Sequence, residues 1–115
     1  MSLKTQKLGS LFTREISRII LEDVKNPKVK FVTITGCDIT NDLSFAKVSF
    51  LTLNREDKEE VEKALNSAAN FIEISLSKSI DIRKMPQISF HYDTSVEYGE
   101  NIEKKLQELK DDKKM

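Results

Sequence analysis

Glycine, histidine and cysteine are scarce in this sequence of 115 residues, which holds three Gly, one His, one Cys and no Trp. A single Cys closes no internal disulfide and supplies no CxxC pair, so a stapled secreted scaffold is excluded and a reducing, cytoplasmic setting is expected. One His beside one Cys leaves no His/Cys zinc set within the chain. Gly9, Gly36 and Gly99 stand too far apart for a P-loop or a GxGxxG turn. No apolar run approaches the roughly 20 residues of a membrane span, and no signal-peptide pattern precedes the first helical stretch. The charge of one sign is also missing: 19 Lys+Arg stand against 19 Asp+Glu, and the pI is near 6.6. A protein that coats nucleic acid indiscriminately is thereby excluded. The length suits one domain, and what is left is a small, highly charged binding module or a minimal carboxylate enzyme.

The apolar residues that are present fall into clear periods. Leu8, Leu11, Phe12, Ile16, Ile19, Ile20 and Val24 recur at three and four, which predicts a helix over 3–24 that ends before Asn26-Pro27. A strand follows over 31–40. Its Val32 and Ile34 share one parity and Cys37 and Ile39 the other, so a β-bulge at Gly36 is expected to bring all four to the core side. The cluster from Thr40 to Ser44 reads as a turn into an antiparallel strand over 45–53, with Ala46, Val48 and Phe50 inward. Asn54 caps a helical stretch whose Val61, Ala64, Leu65, Ala68, Ile72 and Leu76 keep one period down to Lys78. A third strand over 87–93 points Ile88, Phe90 and Tyr92 inward. A last amphipathic helix over 98–109 aligns Ile102, Leu106 and Leu109. The expectation is one α+β domain over residues 1–110, with helices on one face of a three-stranded sheet, and a charged tail at 111–115.

The zero net charge hides an uneven spread. Residues 1–30 carry seven basic and three acidic side chains, whereas residues 31–60 carry three and six. On a helix, Lys7, Arg14, Arg18 and Lys25 fall within about 40° of one another, on the side away from the apolar stripe. Lys28 and Lys30 extend the set beyond the helix end. Cations along about 27 Å suit a nucleic-acid backbone, since each can neutralise a phosphate. A solvated helix face has the same appearance. A second basic group, Lys78, Arg83 and Lys84, precedes the third strand. Aromatics suited to base stacking are few: Phe31 and Phe45 have outward parity, and Phe71 lies beside the apolar stripe.

Catalytic readings find little support. His91 alternates away from Ile88's side of its strand. Asp38 with Asp42, or Asp93 with Glu97, are the available carboxylate pairs, and turn carboxylates usually accept from local backbone N–H groups. Cys37 has core parity. No nucleophile, base and orienting group assemble, so neither an enzyme, a cofactor nor a metal is expected.

Several stretches taken in order resemble the bacterial ribosome-binding factor A family over nearly the whole chain. They are Gln6-Lys7-Leu8, Val24-Lys25-Asn26-Pro27-Lys28, Val32-Thr33-Ile34-Thr35, and Asp42-Leu43-Ser44-Phe45-Ala46-Lys47-Val48. Ala68-Ala69-Asn70-Phe71-Ile72 stands where that family has A-x-G-F-I, and Arg83-Lys84-Met85-Pro86-Gln87-Ile88-Ser89-Phe90 resembles its entry to the last strand. The resemblance implies a type II KH-like domain, α-β-β-α-(kink)-α-β with a C-terminal helix. It also implies binding to the 30S ribosomal subunit, help in late maturation of 16S rRNA including its 5′ end, a role in cold adaptation, and no catalysis. Such a domain replaces the GxxG loop of RNA-binding KH domains with a helix-kink-helix, here at Ala68, Ala69 and Asn70. Asn70 occupies the glycine position, where its tolerance of left-handed backbone keeps a kink open. The unbroken apolar period equally allows one bent helix.

Two functions follow as expectations. The first is a monomeric factor in which Lys7, Arg14, Arg18, Lys25 and Lys28 contact phosphates of 16S rRNA, with Lys78, Arg83 and Lys84 as a second anchor. The second is a protein–protein module or homodimeric adaptor that uses Leu21, Phe31 and Phe45 and touches no RNA.

Overall fold

Helix α1, Leu3–Glu22, buries Thr5, Gly9, Phe12, Ile16, Ile19 and Ile20 along one stripe. The computed structural model describes residues 3–95, so the expected helix over 98–109 and the tail at 111–115 lie outside the described residues. The helix stops two residues before the expected end. The N–H groups of Asp23 and Val24 both donate to the Ile19 carbonyl, at 2.8 and 3.1 Å, and turn the chain away. Asn26 then caps a 3-10 turn, Pro27–Val29, its side-chain oxygen accepting from the Lys28 N–H at 3.0 Å. Proline suits the first position of such a turn because its missing N–H would have had no partner there.

Strands β1, Thr33–Ile39, and β2, Phe45–Leu51, pair antiparallel. Their register steps from Ile34 opposite Phe50 to Gly36 opposite Ser49, so Thr35 is the extra residue of a bulge. This is the expected bulge, with its unpaired residue one place earlier than Gly36. It does what the parity required: Ile34 and Cys37 pack against the core and Ile39 is buried. The connecting turn places Leu43 at φ 60°, the one non-glycine residue with positive φ among those described. Thr40 and Asp42 hold that turn, their side-chain oxygens both accepting from the Ser44 N–H at 3.1 and 3.0 Å.

Two helices follow, α2, Lys58–Ser67, and α3, Ala69–Ser79. A 3-10 turn, Arg55–Asp57, enters α2; Asn54 sits at the start of that turn but makes no side-chain cap bond. Strand β3, Gln87–Tyr92, lies parallel to β2, giving the order β1-β2-β3. Ala46, Val48 and Phe50 are fully buried while Phe45 and Lys47, which alternate with them, are exposed, so helices cover one face of the sheet. Phe12, Ile16, Ile19, Leu65, Ile72 and Leu76 meet that face with no exposed surface. The α+β arrangement with three helices over a three-stranded sheet is the expected one.

The helical stretch between β2 and β3 is interrupted, and the break falls at Ala68. Its φ of −90° and ψ of −1° are those of the bridge region, where the third residue of a type I turn sits, and its N–H is shared between the carbonyls of Leu65 and Ala64, at 3.0 and 3.2 Å. Asn70 lies in the first turn of α3 with ordinary negative φ. The left-handed backbone that would favour asparagine or glycine is therefore not used at this position. The apolar period runs through because Val61, Leu65, Ile72 and Leu76 all still reach the core.

Candidate nucleic-acid interface

The cations of α1 divide into free and engaged groups. Lys7 and Arg14 are exposed and form no ion pair with any described residue. Arg18 is committed. Its Nε lies 3.0 Å from Glu15 Oε2, its Nη1 3.2 Å from Glu22 Oε2, and its Nη2 donates to Ser79 Oγ at 3.2 Å. Hydrogen bonding to Glu15, then Glu22, pushes its pKa above the usual arginine value. Arg18 thus ties α1 to the end of α3, and its charge is already answered by two carboxylates. Arg18, expected among the phosphate contacts, would have to share its guanidinium with these carboxylates to reach one.

Two corrections follow. Lys25 lies beyond Glu22, the last residue of α1, so it does not continue the helical row. The row on the helix runs from Lys7 to Arg18, about 16 Å at 1.5 Å per residue, in place of the expected 27 Å. Lys28 is ion-paired with Glu60 of α2 and holds the Pro27 turn against that helix. Lys25 and Lys30, on either side of it, are exposed and unpaired among the described residues.

The second basic group is only partly gathered. Lys78 is exposed in the last turn of α3, next in sequence to the Ser79 that receives Arg18, so it stands beside α1. Arg83 is exposed in the loop before β3. Lys84 reaches the hairpin turn, its Nζ donating to Ser44 Oγ at 3.3 Å. Asp42 in that turn is held below the usual carboxylate range, first by the Thr40 hydroxyl, then by Ser44, with Lys84 adding a smaller effect.

Grooves flank the helix break on two sides. One, of about 460 Å³, is lined by Asp23, Val24, Lys25, Pro27, Ala68 and Phe71. The other, of about 360 Å³, includes Asn70, Glu73, Ile74, Met85, Pro86 and Gln87. Ala68 and Asn70 therefore open onto different surfaces, and Ala69 is half-buried between them. Phe71, beside the apolar stripe in the helical projection, is 47 % exposed at the rim of the first groove. Its nearness to the Val24–Pro27 turn is hidden in the sequence, because that contact joins segments more than forty residues apart.

The catalytic candidates are engaged elsewhere. His91 is exposed, with Nε2 2.9 Å from Ser89 Oγ, and no third group is bonded to its other ring nitrogen among the described residues. Asp93 accepts from Ser95 and from Thr35 Oγ1, the latter at 2.6 Å, and these bonds hold it below the usual carboxylate range. Burial, with a smaller effect of Asp38, pushes the Cys37 thiol up to about 12, which leaves it protonated and unreactive near neutrality. Among the described residues no cluster of His, Cys, Asp and Glu could hold a metal ion, and no helix is long and apolar enough to cross a membrane.

Comparison with known proteins places these features in a family. The sequence model described as Ribosome-binding factor A matches residues 4–106. A relative of that name from Staphylococcus epidermidis is 43 % identical over 115 residues, covering 97 % of this chain and 98 % of its own. The crystal structure of ribosome-binding factor A from Thermus thermophilus superposes with a TM-score of 0.69 at 18 % identity, over 76 % of this chain and 94 % of that one. A homology model of the Thermus thermophilus protein, fitted into the cryo-EM map of a 30S complex with it, gives a TM-score of 0.63 at 17 % identity, over 75 % and 91 % of the two chains. With the family's sequence model spanning most of its length and a relative at this identity, the chain belongs to the ribosome-binding factor A family.

Proposed function

We infer that this chain is a non-catalytic ribosome assembly factor that binds the 30S subunit through phosphates of 16S rRNA. In this reading it works as a type II KH-like domain, in the cytoplasm, as a monomer and without a cofactor. It assists late maturation of the subunit, including processing of the 5′ end of 16S rRNA, and matters most for growth in the cold. The observation that carries the reading is that exposed cations of the first thirty residues, among them Lys7 and Arg14 on α1 and Lys25 and Lys30 around the Pro27 turn, have no acidic partner among the described residues, with exposed Lys78, Arg83 and Lys84 as a second anchor. The segment 1–30 has an excess of four positive charges in a chain of zero net charge. Each can release counterions from a phosphate, while the acidic remainder keeps the protein off bulk RNA. Membership of a family with a member fitted into a 30S complex directs that chemistry to the small subunit. Binding then acts by biasing the conformation of the immature particle, with no bond made or broken.

The test is co-sedimentation with purified 30S subunits across a salt series. With about four phosphates neutralised, log K falls against log salt with a slope of roughly −3. A Lys7/Arg14/Lys25→Glu variant is expected to lose binding; retention of wild-type binding, or binding indifferent to salt, overturns the reading. Exposed Leu21, Phe31 and Phe45, at 66, 69 and 57 %, support a second reading as a protein-contact module. Light scattering that reports a mass rising with concentration would favour it.

A further inference from the structure

The groove between the Val24–Pro27 turn and the helix break differs from the others in what borders it. Its floor is apolar, made by Val24, Pro27 and Ala68, and one wall ends in the half-exposed ring of Phe71. Its volume of about 460 Å³ falls at the lower end of the range for small-ligand sites, roughly 300–1,000 Å³. A second depression, of about 270 Å³, lies on the other side of the same turn and is bordered by Leu21, Glu22, Lys25 and Lys30, with Glu22 already ion-paired to Arg18. Lys25 lines both. The two depressions form a trough that bends over the Val24–Pro27 turn, with the Phe71 ring on one side, Lys30 on the other and Lys25 on both, and neither lysine is ion-paired with a described carboxylate.

We propose that this trough holds one unpaired nucleotide of single-stranded RNA, with the base against the Phe71 ring and its phosphates on Lys25 and Lys30. The inference rests on the reading of the protein as an rRNA-binding factor. Bases stack on exposed aromatic rings whatever their identity, because every base has a π face. Asp23, on the rim of the apolar half, has no described cation partner and disfavours a phosphate there, whereas Glu22 on the other side is offset by Arg18, so the phosphates fall towards Lys30 and the uncharged base towards Phe71. Lys28 takes no part, since Glu60 already neutralises it. An acidic peptide would meet the same lysines, but it would have no planar ring to set against Phe71.

The test uses 30S subunits and four variants: Phe71→Ala, Phe71→Leu, Lys25→Gln, and one carrying the photo-crosslinker benzoylphenylalanine at position 71. Because Phe71 is half-exposed, its replacement should leave the fold intact, which circular dichroism checks. Both Phe71 variants are expected to weaken binding about tenfold with an unchanged salt slope. Lys25→Gln should make the slope shallower by about one, and the crosslink should map to rRNA. Wild-type affinity in Phe71→Leu overturns the proposal, since leucine covers the floor but cannot stack. A crosslink to a ribosomal protein also overturns it. If the Lys7/Arg14/Lys25→Glu variant fails to bind while the Phe71 variants bind normally, only the trough is lost. If none of these changes matters and binding is indifferent to salt, the rRNA-binding reading falls with it.

Discussion

Asn66 of α2 and Phe90 of β3 exchange two hydrogen bonds as if they were neighbours in a sheet. The Asn66 Nδ2 donates to the Phe90 carbonyl at 3.0 Å, and the Phe90 N–H donates to Asn66 Oδ1 at 2.8 Å. The Ile88 N–H, two residues earlier, donates to Glu73 Oε1 at 2.7 Å, and the Tyr92 N–H to Glu62 Oε2 at 3.1 Å. Residues 88, 90 and 92 are those whose backbone groups point away from β2, while Gln87 and Asp93 donate towards it. The outer edge of β3 is therefore closed by side chains from both halves of the broken helix, where an open edge would invite another strand. Asn66→Ala leaves the N–H and carbonyl of Phe90 without their partners. A loss of about 2 kcal/mol is expected in urea unfolding, and some gain in self-association.

Gly9 lets α1 run close against β1. A Cβ built there would lie 2.5 Å from the Cys37 carbonyl oxygen, a backbone atom beside the bulge. Alanine normally favours a helix interior over glycine by about 1 kcal/mol. Here the clash should reverse that sign, and Gly9→Ala is expected to destabilise the fold by about 1–3 kcal/mol. Thermal melts of the two proteins measure it, and a Gly9→Ala protein more stable than wild type would refute the contact.

The two arginines of α1 should behave differently on the ribosome. Arg14→Gln removes a charge without a described partner and should make the salt slope of 30S binding shallower by about one. Arg18→Gln removes a charge already answered by Glu15 and Glu22, so the slope should stay nearly constant. Its effect should appear in unfolding, where the link to Ser79 is lost. Both pairs lie at the surface, where solvent screens them, so that effect should be small.

Asp93 sets part of the acid limit of stability. Its folded pKa is depressed, first by the Ser95 hydroxyl and then by Thr35. A carboxylate of this kind stabilises the fold above its unfolded pKa of about 3.9, and that contribution vanishes as pH falls through the lower folded value. Asp93→Asn should be less stable than wild type at pH 7 and should lose less between pH 5 and pH 2. Denaturant midpoints across that range would show it, and parallel curves for the two proteins would count against it.

Local features of the sequence carried most of the fold. The parity switch between Ile34 and Cys37 required a bulge, and the register contains one at Thr35. Asn26-Pro27 announced the helix exit, and Ala46, Val48 and Phe50 announced the buried face. The engagement of the cations was not legible. Arg18 with Ser79 spans 61 residues and Lys28 with Glu60 spans 32, and a helical projection of α1 alone contains neither partner. Glu15 and Glu22, at three and four residues from Arg18, were visible in the sequence, and their spacing could have marked that arginine as paired.

The break at Ala68 has a consequence for how such chains are recognised. It is built from backbone angles that any L-residue adopts, so nothing there selects for glycine. A search pattern demanding glycine at position 70 would pass over this protein although its two helices separate all the same. Ala68 and Ala69 are both half-buried against the core at the break. Bulk at Ala68 would enter the groove that separates the break from the Val24–Pro27 turn, whereas a change at Asn70 would alter the groove on the other side.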